Sequence, residues 1–259
     1  MTKIRLILLT AVTLLFSSCF ETKETYTLQE NGAYKMEYSV TMGNMINLFQ
    51  SMDEEIAAEL AALKKNETSI NYLSLLPDSV KKYYDSEALS LFSNTNLQLK
   101  IDIKNGIFDT KIISHGSSIS ALHSFLENYD DILRFGEENT MNALSPKETN
   151  EDAFPSHSGV LSNKDFEYTI TTTSFERKLT EDAIERYKGR NSEQIERLLS
   201  NPAMDLNIIN VLTINLPRPA KSIDNKNATL SDDKKQFVLK VNLIKAAGNP
   251  QLLNFKIVY

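Results

Sequence analysis

The chain has no tryptophan, one cysteine, three histidines, eight glycines and seven prolines in 259 residues. Each shortage excludes something. A single thiol cannot close a disulfide within the chain, so the fold must rest on its own core. With no HExxH and no paired cysteines, no zinc-binding pattern is present. The glycines are dispersed and spell neither GxxxxGK[ST] nor GxGxxG, so no phosphate cradle is written in the sequence. Without tryptophan the commonest stacking platform for sugars is missing, although ten tyrosines could substitute. No apolar run reaches the ~20 residues that a membrane-crossing helix needs. Basic residues are in deficit, 28 against 34 acids. Such a balance is a poor match for nucleic acid, whose affinity comes from neutralising phosphates.

What is present begins at the N-terminus. Lys3 and Arg5 are followed by an apolar stretch from Leu6 to Phe16, broken only by Thr10 and Thr13, and then by Ser17, Ser18 and Cys19. A basic start, an apolar core of about a dozen residues and small residues before a cut are the marks of an export signal. Phe16-Ser17-Ser18-Cys19 resembles the lipobox of bacterial lipoproteins, with Phe16 in place of the usual aliphatic residue. That resemblance implies that residues 1–18 are a signal peptide. It also implies a diacylglycerol on the thiol of Cys19 and a further, palmitate-type chain on its amine. Two or more acyl chains hold a protein stably at a bilayer, where one does so only marginally. In lipoproteins of proteobacteria an Asp after the cysteine retains the protein at the inner membrane. Phe20 stands there instead, which implies the outer membrane. Glu21-Thr22-Lys23-Glu24 does not match the dense acidic patch of surface-exposed lipoproteins of Bacteroidetes, so the periplasmic side is expected.

Removing Lys3 and Arg5 with the signal leaves 26 basic residues against 34 acids, a net charge of −8. Anionic head groups would not attract such a domain as a whole, so the lipid must anchor it. Residues 19–25 read as a short tether and 26–259 as a globular domain.

That domain is rich in period-two alternation. Tyr34 to Met42, Leu97 to Ile103, Phe166 to Ile170, Leu212 to Leu216, Phe237 to Leu243 and Leu253 to Tyr259 all alternate apolar with polar residues. The pattern predicts strands with one buried face, the habit of antiparallel sheets. Asn31-Gly32 and Asn105-Gly106 supply the positive φ of tight turns. Stripes at spacings of three and four predict helices over Met45–Leu63, Pro77–Leu91, Ile119–Leu133 (capped by Ser117 or Ser118) and from a Thr180 cap to Leu199. The fold class expected is α+β, a largely antiparallel sheet of about eight strands with amphipathic helices on one face. Polar, aperiodic residues 137–163 read as a long loop or as a hinge between two halves.

Catalytic patterns are absent. His115, His123 and His157 are scattered, and His115-Gly116-Ser117-Ser118 reads as a turn and helix cap rather than a nucleophile beside its base. The paired acids Asp53-Glu54-Glu55, Asp130-Asp131, Glu137-Glu138, Glu151-Asp152 and Asp232-Asp233 read as solvated charge or turns. No catalytic, cofactor-binding or metal residue is assigned. Asp78-Ser79-Val80 resembles the short O-glycosylation sequon of exported Bacteroidetes proteins, which implies Ser79 as an acceptor. The expectation is a membrane-anchored envelope lipoprotein that binds a protein partner or assists assembly without catalysis. The alternative is a carrier or sensor of a lipid or other amphiphile, with Met42, Met45, Phe49 and Met52 as lining. A third reading is a hydrolase without a recognisable motif.

Overall fold

The computed structural model describes residues 20–41, 66–134, 163–189 and 208–259. The expected leader, Cys19, the helix over Met45–Leu63, His157 and the polar stretch as far as Ser162 lie outside the described residues.

Two sheets and several short helices make an α+β fold. The larger sheet has eight strands. These are β1 (Phe20–Leu28), β2 (Tyr34–Thr41), β3 (Asn66–Asn71), β4 (Thr95–Asp102), β5 (Ile107–Gly116), β8 (Ile208–Asn215), β10 (Ala228–Leu230) and β11 (Gln236–Asn242). Their spatial order is β10-β11-β8-β1-β2-β5-β4-β3. All its pairs are antiparallel except β1 with β8. The smaller sheet runs β6 (Phe166–Ile170), β7 (Ser174–Leu179), β12 (Phe255–Val258), β9 (Ser222–Ile223).

Alternation decides which side each residue faces. In β2, Tyr34, Met36, Tyr38 and Val40 are buried while the residues between them are half-exposed. One cross-strand row of the buried face reads Phe237, Ile214, Tyr26, Met36, Ser114, Thr95. Phe237, Ile214 and Met36 are fully buried, and each such side chain contributes ~1.5–3 kcal/mol relative to exposure.

Two different covers close this face. Over β2, β5 and β4 lie α3 (Ser86–Ser93) and α4 (Ile119–Glu127), with helix resuming over 129–134. Phe125 meets Tyr34 at 6.1 Å and Tyr129 meets Tyr38 edge-on at 6.4 Å between ring centroids. Over β1, β8 and β11 lies the smaller sheet. Phe175 meets Tyr26 edge-on at 5.7 Å, and Phe255 meets Phe237 at 5.2 Å. Such aromatic pairs add ~0.5–1.5 kcal/mol beyond their burial.

Several boundaries differ from the sequence expectation. β1 begins at Phe20 rather than Tyr26, so residues 20–25 are strand and not tether. They pair on both sides, with Thr41 to Glu37 and with Ile208 to Thr213, and that double ladder overrides their polar character. The expected helix from Pro77 to Leu91 is two, α2 (Asp78–Lys81) and α3, preceded by α1 (Tyr72–Leu75). Asp85 restarts the chain by accepting a hydrogen bond from Ala88 N at 2.8 Å, an N-cap in mid-pattern. β3 and β7 are strands that alternation did not reveal. Leu243 opens α6 (Leu243–Gly248) rather than extending β11, because Asn242 caps a helix there through Lys245 N. The last strand is shorter than expected, since Leu253 belongs to a 3-10 turn over Pro250–Leu253.

Other local signals hold. Gly32 and Gly106 adopt φ of 84° and 65°. Ser118 caps α4 by accepting from Ala121 N at 3.1 Å. Thr180 caps α5 (Glu181–Gly189) by accepting from Ala183 N at 3.1 Å. The remainder of that helix, to Leu199, lies outside the described residues. β1 and β8 pair within one sheet, so strands from before and after residues 137–163 lie side by side.

Gly116 is required where β5 meets α4. A Cβ there would lie 2.1 Å from Tyr34 Cε1 and 2.9 Å from Ala121 Cβ, against a buried ring that cannot retreat. Gly116→Ala is expected to lower unfolding stability by ~2–3 kcal/mol. Gly248→Ala, with nothing within 4 Å, should stay within ~0.5 kcal/mol. Urea denaturation of both variants checks the contrast.

Candidate functional site

The residues singled out in the sequence do not converge. His115 is exposed on β5, opposite Lys35, and His123 is half-buried on α4. Ser118 spends its hydroxyl on the helix cap. Asp130 accepts from Asn163 N at 2.8 Å, Asp131 pairs with Arg134 at 3.1 Å, and Asp233 accepts from Lys235 N at 3.0 Å within the β10–β11 turn. These acids hold structure together. The pairs at 53–55, 137–138 and 151–152 lie outside the described residues. Among the described residues, no three His, Cys, Asp or Glu side chains are grouped to hold a metal ion. No helix among them is long and apolar enough to cross a membrane. Ser79 is exposed on α2, next to Asp78, which binds Lys81 Nζ at 2.8 Å.

A different group of residues stands out once the strands are paired. The middle rows of the large sheet's buried face are not uniformly apolar. One reads Leu239, Leu212, Glu24, Tyr38, Ile112, Leu97, with a carboxylate at its centre. The row beside it reads Val241, Asn210, Thr22, Val40, Thr110, Leu99. Asn210 Nδ2 joins them, donating to Thr22 Oγ1 at 3.0 Å and to Glu24 Oε1 at 3.1 Å.

Glu24 lies near the seam between the two covers. Tyr129 on the helical cover and Tyr168 on the smaller sheet feel the Glu24 charge, and Arg177 on the smaller sheet acts electrostatically on Tyr26. Asn163 stitches the seam: its Nδ2 donates to Leu126 O at 2.5 Å and its Oδ1 accepts from Tyr168 Oη.

Arg177 is the most unusual member. It is buried, and its guanidinium lies between the rings of Phe166 and Phe255, 5.1 and 5.0 Å from their centroids. Stacking of this kind suits the flat, weakly hydrated guanidinium. Its Nε donates to Leu253 O at 3.0 Å, but its Nη2 has no hydrogen-bond partner. Tyr129 Oη and Thr110 Oγ1 are buried without partners as well. An unmet buried donor costs ~1–3 kcal/mol, more when charged, so each such group in a native fold calls for an explanation.

Burial dominates the electrostatics of the seam hydroxyls. Burial first, and then the Glu24 carboxylate, push the hydroxyls of Tyr26 and Tyr129 well above the ordinary tyrosine range. Burial does the same for Tyr168, with Arg177 opposing. Tyr34, raised by burial to about 12, donates to Ala121 O at 3.3 Å. At neutral pH these are neutral hydrogen-bonding groups, unfit as phenolate bases or nucleophiles. Sequence reasoning missed this cluster because Glu24 and Thr22 sit in a stretch that looks solvated. A weak signal was available, since Thr22, Glu24, Tyr26 and Leu28 share one side of a strand.

Comparison with known proteins returns no match among family models, curated proteins or solved structures.

Two buried tyrosines separate a met from an unmet hydroxyl. Tyr72 Oη donates to Ile132 O at 2.9 Å, whereas Tyr129 Oη has no partner. Tyr72→Phe is expected to cost ~1–1.5 kcal/mol, and Tyr129→Phe to be neutral or stabilising, as read by chemical denaturation. In the folded state the seam tyrosines ionise later than in the unfolded chain, where ~10 is normal. Stability contributed by keeping them protonated is therefore intact below pH 10 and falls as pH rises beyond it. The phenolate absorbance contributed by the buried seam tyrosines during alkaline titration, isolated by comparison with their Phe variants, should rise together with unfolding rather than ahead of it.

Proposed function

We propose that this chain is a lipid-anchored protein of the bacterial envelope whose α+β domain works by binding rather than by catalysis. The observation that carries the reading is the start of β1 at Phe20, directly after the lipobox-like Phe16-Ser17-Ser18-Cys19. A chain cut before Cys19 and acylated there would hold a central strand of the large sheet against the bilayer with no linker between. Phe20 in place of Asp supports the outer membrane, facing the periplasm. Binding rather than catalysis is favoured by the scatter of His115, His123 and the paired acids, which the fold does not bring together among the described residues. The described surface offers no large exposed apolar side chain except Tyr83, 80% exposed, with Lys82 Nζ 5.3 Å above its ring. A protein partner would therefore be met on mainly polar ground. Ser79, with its exposed hydroxyl, supplies what a glycan acceptor needs.

A second reading, recognition of an anionic amphiphile, is favoured by one observation: Arg177 Nη2 and Tyr129 Oη are donors without acceptors near one internal seam. Mass spectrometry of lipid extracted from purified protein decides it. A stoichiometric anionic lipid, lost in Arg177→Met, would favour this reading, and lipid-free folded protein would remove it.

The anchor is tested by metabolic labelling with a clickable fatty acid, followed by membrane fractionation. Wild-type protein is expected to carry label in the outer-membrane fraction, and Cys19→Ala to carry none and to leave the membrane. Label-free wild type would overturn the reading.

A further inference from the structure

We propose that the acceptor missing at the seam is the carboxylate of a single-chain fatty acid, bound between Arg177 Nη2 and Tyr129 Oη. The inference rests on the anionic-amphiphile reading above and deepens it by naming the class of ligand. Arg177 stands in one cross-strand row of the smaller sheet, which reads Tyr168, Arg177, Phe255. That row is tied into the seam from two sides. Between ring centroids, Phe255 lies 5.5 Å and Tyr168 6.4 Å from Phe175, the ring that meets Tyr26 on β1. Tyr168 Oη also donates to Asn163, whose Nδ2 donates to Leu126 O, three residues before Tyr129. Tyr168 therefore stands between Arg177 and the helical cover that carries Tyr129. Tyr129 in turn rests edge-on against Tyr38, the cross-strand partner of Glu24.

Arg177 and Tyr129 are each 6% exposed, and neither Arg177 Nη2 nor Tyr129 Oη has a partner. Two buried donors ask for a group that accepts. Both faces of the guanidinium are occupied by Phe166 and Phe255, and its Nε is spent on Leu253 O. Glu24 is turned to Asn210 Nδ2, at 3.1 Å, rather than to Arg177. A carboxylate has two oxygens, one for each donor, and its single charge is set against the buried cation. A phosphodiester carries the same charge on a tetrahedral group whose further oxygens would be buried without donors. The rings beside Arg177 are apolar, which suits an alkyl chain behind the carboxylate.

Full-length protein in a neutral detergent would receive oleate isotope-labelled at its carboxyl carbon and be followed by NMR. One bound carboxyl resonance is expected at an equimolar ratio, held at its ionised position at a pH where micellar oleate is already protonating. Tyr129→Phe, which keeps its stability by the argument above, should bind oleate roughly tenfold more weakly. Arg177→Met, with its fold checked by circular dichroism, should show no bound resonance. Arg177→Lys, which keeps the charge but not the planar fork, should bind more weakly than wild type and serves if the Met variant does not fold. Lysophosphatidylglycerol, a single chain bearing a phosphodiester, should not displace the oleate at equal concentration. Equal displacement would overturn the carboxylate assignment and leave the anionic-amphiphile reading standing. A bound resonance unchanged in Tyr129→Phe and in the Arg177 variants would place the oleate elsewhere and overturn the inference. Folded wild type that binds lysophosphatidylglycerol but not oleate would overturn the inference alone, and binding of neither would remove the anionic-amphiphile reading with it.

Discussion

The parallel ladder between β1 and β8 joins stretches of chain 188 positions apart, as the Asn210–Thr22 bond measures. Every other pair in the large sheet joins strands closer in sequence, although β2 and β5 are still separated by β3, β4 and three helices. Without this ladder, β10, β11 and β8 would form one small sheet and β1 to β5 another, each with an open edge. Closing so long a loop has an entropic cost that grows only slowly with length. It is offset when both flanks of β1 are paired and its inner side chains are covered. The cover is shared: Tyr26 packs on Phe175 from the smaller sheet, and Tyr38 on Tyr129 from the helices.

That sharing creates the seam. A sheet face roofed by two unlike layers has a line where those layers meet, and here polar groups lie near it. Asn210, Thr22 and Glu24 bond to one another across the parallel pair. Arg177 is stacked between aromatic rings and only partly satisfied. A core chosen for stability alone would replace such groups with apolar ones of similar volume. They gather where the large sheet, the helices and the smaller sheet meet.

Much of the fold was legible because its signals are local. Alternation in β2, β4, β6 and β11 follows from the two-residue repeat of a strand, and each element appears close to its expected place. Ser118, Thr180, Gly32 and Gly106 do their work within a few residues of themselves. The misses share one cause. β3 (Asn-Glu-Thr-Ser-Ile-Asn) and the first half of β1 are polar stretches made into strands by their neighbours. β7 depends on its partners β6 and β12. The single helix expected after Pro77 failed for the opposite reason, since Asp85 offers a cap that competes with continuing the helix.

By itself, the sequence determined which residues lie on the same side of each strand, where the tight turns fall, and the lipobox-like stretch ending at Cys19. Those properties depend on backbone stereochemistry and on residues a few positions apart. Only the tertiary structure decided strand order, the second sheet and the direction in which Thr22 and Glu24 face. Alternation places Thr22, Glu24, Tyr26 and Leu28 on one side of β1, but not which side is buried. That choice is made by β2 and β8, whose register turns the whole set inward. Glu24, which reads as solvent-facing in isolation, ends half-buried on the inward side beside Asn210 because pairing energy on both flanks of the strand outweighs the preference of one side chain.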